Sequence, residues 1–134
     1  MARITEIEGI GPAIAKKLSA VGIAKLDDLL EKCGSAKGRE EIAAKTGLSK
    51  NDLLEWANHA DLFRISGVGS EYSDLLEAAG VDSCPELARR NAANLVKAME
   101  KVNAEKKIVR RIPTESMVES WIAQAKKLPK VVSH

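Results

Sequence analysis

Two glycine turns are the residues best suited to chemistry. Gly9-Ile10-Gly11 and Gly67-Val68-Gly69 each set two glycines around one β-branched apolar residue, directly ahead of a segment with helical patterning. Glycine reaches backbone angles and close approaches denied to residues with a Cβ, while the middle residue points into the core and pins the turn. Such a turn presents consecutive backbone N–H groups at a helix start, where the helix dipole also favours negative charge, so its chemistry is that of a phosphate seat. The same turn can also serve only to join two helices.

A second candidate is electrostatic. Lys97, Lys101, Lys106, Lys107, Arg110 and Arg111 form a basic cluster that Lys126, Lys127 and Lys130 extend, interrupted by Glu100 and Glu105. It reads either as a patch for a phosphate backbone or as the ordinary solvated face of helices. Over the whole chain, 21 Lys and Arg against 19 Asp and Glu leave +2, which excludes an acidic disordered tail and a strongly basic coat. The balance is uneven, however. Residues 1–60 hold nine basic and nine acidic side chains, 61–95 three and six, and 96–134 nine and four, so the excess of five positive charges lies at the C-terminal end.

Other chemistry-bearing residues do not assemble into a catalytic set. His59 lies near Asp61 but has no second His or Cys at metal-ligand spacing, and His134 is at the end of the chain. Cys33 and Cys84 have no His nearby and read as small buried side chains. Trp56 and Trp121 lie on apolar helical stripes and read as core, and Tyr72 either anchors its helix or stands beside the second turn. The expectation is therefore a protein that is not an enzyme and needs no cofactor or metal.

The elements that would hold the turns are arranged as an internal repeat. Ile7-Glu8-Gly9-Ile10-Gly11-Pro12 aligns with Ile65-Ser66-Gly67-Val68-Gly69-Ser70 at an offset of 58 residues, and the same offset carries Leu18 to Leu76, Val21-Gly22-Ile23 to Ala79-Gly80-Val81, and Leu29 to Leu87. A weaker echo at offset 65 relates Ser49, Leu53 and Trp56 to Thr114, Val118 and Trp121, implying an insertion in the later copy. Domain boundaries follow: a first helical repeat over 1–62, a second over 63–128, and a loose tail over 129–134.

Hydrophobic periodicity and caps predict an all-α chain. Helices are expected from Pro12 to the Gly22 stop, over about 25–33, from Gly38 to Thr46, and from a Ser49 cap to about Leu62. The second copy predicts Ser70 to Ala79, Cys84 to Arg90, a helix capped by Asn91 or Asn94 ending near Asn103, and one from Thr114 to Lys127. Residues 108–113 are expected to be extended, because β-branched residues and Pro113 disfavour helix.

At 134 residues and 45% hydrophobic composition the chain suffices for one domain or two small subdomains, with a core of Leu, Ile, Val and Ala because aromatic residues are so few. The chain shows neither a signal-peptide pattern nor an apolar run of membrane-spanning length, so the expectation is a soluble cytoplasmic protein with no membrane partner.

These residues resemble known proteins. Ile7-Glu8-Gly9-Ile10-Gly11-Pro12-Ala13-Ile14-Ala15-Lys16-Lys17-Leu18, followed by Val21-Gly22-Ile23, resembles the helix-hairpin-helix class of tandem nucleic-acid-binding modules. Leu54 to Gly69, Tyr72 to Val81, Val109-Arg110-Arg111-Ile112-Pro113 and Trp121 to Pro129 resemble the bacterial family known as domain of unknown function 4332. The resemblance implies tandem helix-hairpin-helix repeats with additional packing helices. It also implies non-sequence-specific contact with double-stranded DNA through backbone N–H groups and a nearby basic side chain. Carried over by position, Gly9, Gly11, Lys16 and Lys17 form one seat. The second has Gly67 and Gly69, but Glu71, Tyr72, Ser73, Asp74 and Leu75 follow, and their acidic charge would repel phosphate. The rival expectation is a protein-interaction or self-association module that keeps the fold without binding DNA.

Overall fold

The computed structural model describes residues 3–7 and 9–133. Met1, Ala2, Glu8 and His134, which enter the reading of the N-terminus, the first glycine turn and the tail, lie outside the described residues. Among the described residues the fold is all-helical, with no strand beyond one isolated antiparallel bridge between Arg3 and Lys25. A 3-10 turn at Ile4–Glu6 leads into α1 (Pro12–Ser19), α2 (Leu26–Cys33), α3 (Ala36–Thr46) and α4 (Lys50–Leu62). Then come α5 (Ser70–Ala78), α6 (Cys84–Ala88), α7 (Ala92–Lys106) and α8 (Glu115–Lys127). The chain divides into two compact units, Met1–Asp61 with Lys130–His134, and Leu62–Pro129.

Most helix starts are set by their own side chains. Ser35 accepts from the Gly38 amide at 3.0 Å, Ser49 from Asp52 at 3.0 Å, Asn91 from Asn94 at 3.1 Å and Thr114 from Met117 at 3.1 Å. Each bond satisfies a first-turn N–H that has no partner within its helix. At α2 the Asp28 carboxylate turns back to accept from the amides of Ala24 and Lys25, and these two bonds hold its pKa below the ordinary carboxylate value. Helix α1 begins at Gly11 and α5 at Gly69, and no side chain caps either.

The repeat is present bond for bond. In the first unit Ile10 N–H donates to Ile7 O at 3.2 Å, Ala15 to Gly11 at 2.9 Å, Gly22 to Ser19 at 3.0 Å and Ile23 to Leu18 at 2.9 Å. In the second, Val68 donates to Ile65 at 3.1 Å, Ser73 to Gly69 at 2.9 Å, Gly80 to Glu77 at 3.0 Å and Val81 to Leu76 at 2.8 Å. The weaker echo holds as well, since α4 and α8 both span 13 residues and begin 65 apart. The change of offset has a location. Gly47 ends α3 in the left-handed region and only Leu48 precedes the Ser49 cap, whereas α7 is four residues longer than α3 and residues 108–113 separate Lys107 from Thr114.

Each unit buries its own apolar residues. In the second, Leu62, Ile65, Val68, Leu75, Leu76, Val81, Leu87, Leu95, Met99, Val109, Val118, Trp121 and Ile122 form one cluster. In the first, Ile4, Ile7, Ile10, Leu18, Ile23, Leu26, Leu29, Ile42, Leu53 and Trp56 are buried. Cys33 is buried with them, and burial pushes its thiol up to about 11.

Several sequence expectations change. Helix α3 begins at Ala36, behind its Ser35 cap, rather than at Gly38. Helix α6 stops at Ala88 rather than Arg90, and α7 runs to Lys106 rather than Asn103, because the Asn103 carbonyl still accepts from the Lys107 amide at 2.8 Å. The end of the chain is not loose over its described residues. Val132 is only 2% exposed, Ser133 N–H donates to Gly34 O at 2.8 Å, and Arg39 Nη2 donates to Ser133 O at 2.7 Å. Arg39 is itself buried. Its Nη1 donates to the carbonyls of Cys33 and Gly34 at 3.0 and 2.9 Å, so the guanidinium is solvated by main-chain oxygens at the α2–α3 corner and along the terminal strap.

Candidate functional site

The two glycines of each turn do different work. Gly9 and Gly67 hold φ of +95° and +96°, in the left-handed region that side chains disfavour. A Cβ at Gly9 would meet Trp56 Nε1 at 3.5 Å, and one at Gly67 would meet Trp121 Nε1 at 3.1 Å. The tryptophans thus seat their indole nitrogens beneath equivalent turns, which explains why the weaker repeat preserves them. Ile10 and Val68, 4% and 5% exposed, pin the turns from within and offer nothing to an outside ligand.

Gly11 and Gly69 have ordinary extended angles, φ −86° and −104°, and a Cβ on either would meet nothing within 4 Å. Nothing inside the protein demands glycine there. As a helix-start residue glycine leaves the first-turn amides open, where Ser, Asp or Asn would occupy one with its own oxygen. In α1 those amides belong to Ala13 and Ile14, since Pro12 has none. Lys17 follows Ala13 by four residues and so lies one turn along the same face. Gly9, Gly11, Lys16 and Lys17 are all exposed, and among the described residues neither lysine makes an ion pair.

The second turn is clamped by a side chain of α8, and its helix start differs from that of α1. The Ser66 amide donates to Gln124 Oε1 at 2.9 Å, and Gln124 Nε2 donates back to Ser66 O at 3.3 Å. Exposed Glu71 occupies the first turn of α5 where α1 has Ala13, and Leu75, fully buried, stands where α1 has exposed Lys17. Tyr72 packs on Trp121 with ring centroids 5.2 Å apart and donates its hydroxyl to Arg111 O at 3.2 Å. This settles Tyr72 as an anchor. The sequence carried no signal for the Gln124 clamp, whose partners are 58 residues apart.

The basic cluster is exposed at Lys97, Lys101, Lys106, Lys107, Arg110 and Arg111, and at Lys126, Lys127 and Lys130. Residues 108–113 form no strand. His59 is buried at 6% on α4, at the position Gln124 holds on α8, and it has a bonded or electrostatic partner. Trp56 and Trp121 are buried at 6% and 2%, as core residues would be.

Among the described residues no helix is long and apolar enough to cross a membrane. The large apolar side chain that stands most exposed among them is Val131, at 37%. No curated protein and no solved structure matches the chain. Residues 8–128 match the family described as Domain of unknown function (DUF4332), and the chain belongs to that family.

Proposed function

We propose that the chain is a cytoplasmic, non-sequence-specific binder of double-stranded DNA, built as tandem helix-hairpin-helix repeats, that holds phosphates at its first glycine turn and performs no chemistry on them. The observation that carries this reading is the start of α1. It is an exposed, uncapped helix end at a glycine that the fold does not require, with Lys17 on the same face one turn away. A phosphate oxygen there accepts from the open amides of Ala13 and Ile14, is favoured by the helix dipole, and meets the lysine ammonium groups. Such contacts fix the protein on the backbone and read no bases. The bond-for-bond repetition of the turns supports the tandem hairpin reading. The rival, an interaction module that works through an apolar surface, is less well supported, because Val131 is the large apolar side chain left most exposed among the described residues.

The test is anisotropy of a fluorescent random-sequence duplex across about 20–300 mM salt. Lys16→Ala with Lys17→Ala should weaken binding and flatten the salt dependence by about 0.9 for each phosphate no longer neutralised. Gly11→Asp separates folding from binding: its carboxylate should cap α1 and leave the melting temperature unchanged or raised, while occupying the amides and repelling phosphate. Absence of wild-type binding at the lowest salt sinks the reading and turns the search to protein partners.

A further inference from the structure

If the first glycine turn is a phosphate seat, its twin at Gly67 and Gly69 should be one too, yet the second unit sets a different charge and packing beside its helix start. Exposed Glu71 lies in the first turn of α5, where its carboxylate opposes an approaching phosphate, and the α5 position that matches Lys17 is the buried Leu75. Residues 107–113 belong to the insertion that shifts the repeat offset from 58 to 65, and the Tyr72 hydroxyl of α5 donates to Arg111 O within them.

The end of α7 and this segment carry four cations in six residues. Lys106, Lys107, Arg110 and Arg111 are all exposed, and none makes an ion pair among the described residues. Its backbone is held in place. Asn103 Nδ2 donates to Val109 O at 3.0 Å, the Val109 amide donates to Asn103 Oδ1 at 2.9 Å, and Val109 is buried between the charged pairs while Ile108 and Ile112 pack on the core. A mobile loop could spread like charges apart, whereas this one keeps them together.

Lys107 adds an independent observation. It ends α7 with φ +50°, the one non-glycine residue at positive φ among those described, while the residue that ends α3 at the corresponding place is Gly47 with φ +77°. The fold needs a left-handed residue at both helix ends, and glycine meets that need without strain. The second unit keeps a lysine there despite the strain, which is accounted for if the side chain has a task.

We propose that the phosphate contact of the second unit lies not at its glycine turn but at the end of α7 and the loop that follows, where Lys106, Lys107, Arg110 and Arg111 bind the phosphodiester backbone of duplex DNA as a second site besides the first glycine turn. The assignment rests on the DNA-binding reading above. Arginine supplies bidentate contacts to phosphate and lysine point charges, neither of which reads sequence.

The experiment compares the full chain with two variants in the same duplex titration, each checked for helicity and melting temperature. The first combines Lys106→Ala, Lys107→Gly, Arg110→Ala and Arg111→Ala, with Lys107→Gly chosen because glycine suits the backbone there. It should bind at least tenfold more weakly at about 50 mM salt, with a salt slope smaller by about 2 to 4. The second, Gly69→Asp, should bind within twofold of wild type, whereas Gly11→Asp weakens binding at least tenfold. A loop variant that binds like wild type, or a Gly69→Asp effect matching that of Gly11→Asp, overturns the assignment and leaves DNA binding standing. No binding by wild type overturns both.

Discussion

Gly11 and Gly69 begin equivalent helices on equivalent backbones, and the two units surround them differently. Around Gly11 the helix is small and basic, with Ala13 and Lys17 exposed; around Gly69 it is acidic, with Leu75 buried and Tyr72 bonded to Arg111 O. The units are also closed by different means. The buried position four residues after the α3 cap is Arg39, which gathers the α2–α3 corner and the terminal strap, whereas the same position after the α7 cap is Leu95 within the apolar cluster. A repeated backbone therefore constrains the buried contacts that form it and leaves the outer face free to change sign.

The comparison can be broken hardest at the tryptophans. Trp121→Ala should cost about 3–5 kcal/mol in denaturant unfolding, and Trp56→Ala less, since Trp121 also carries Tyr72. Equal costs would show that the two turns are supported alike. Arg39→Leu installs the second unit's solution in the first. It should cost about 2–3 kcal/mol, because three charge-assisted bonds to carbonyls disappear, and amide exchange at Ser133 should accelerate as the strap loosens. A variant as stable as wild type would mean that the strap contributes nothing to the unit.

The division of labour within each turn is a finer test. Gly67→Ala should cost about 1–3 kcal/mol from positive φ and crowding by Trp121, while Gly69→Ala should stay within about 1 kcal/mol of wild type. Similar costs at both positions would refute the separate roles. The smallest effect belongs to Cys33. The folded chain holds its proton up to about 11 against an ordinary thiol value of 9.0, so its contribution to stability is complete below pH 9 and is lost as pH rises through 11. Native protein at pH 8 should leave Cys33 unmodified by a thiol reagent, and rapid labelling would contradict its burial.

Much of this fold is legible in the residues. Ser49, Asn91 and Thr114 mark helix starts directly, and Ser35 does the same for α3, although the apolar pattern alone starts that helix at Gly38; each acts within three residues of itself. Gly9 and Gly67 announce turns, and the 58-residue register repeats the bonds of each turn. The candidate seat at Gly11, Lys16 and Lys17 is legible for the same reason. The character of the second turn is only half visible, in the acidic residues of α5. Its other half, the Gln124 clamp and the Tyr72 bond to the inserted loop, joins residues 58 and 39 apart.

The sequence by itself determined most of the helices and several of their caps, the repeat and the existence of an insertion in the later copy, because these follow from local patterns of residue type. Only the tertiary structure decided that Gln124 clamps the second turn, that the loop at 107–113 is pinned with its cations outward, and that the buried Arg39 guanidinium is hydrogen-bonded by carbonyls, one of them 94 residues away. Those outcomes depend on which distant groups the packed cores bring within hydrogen-bond reach, and no local pattern encodes that distance.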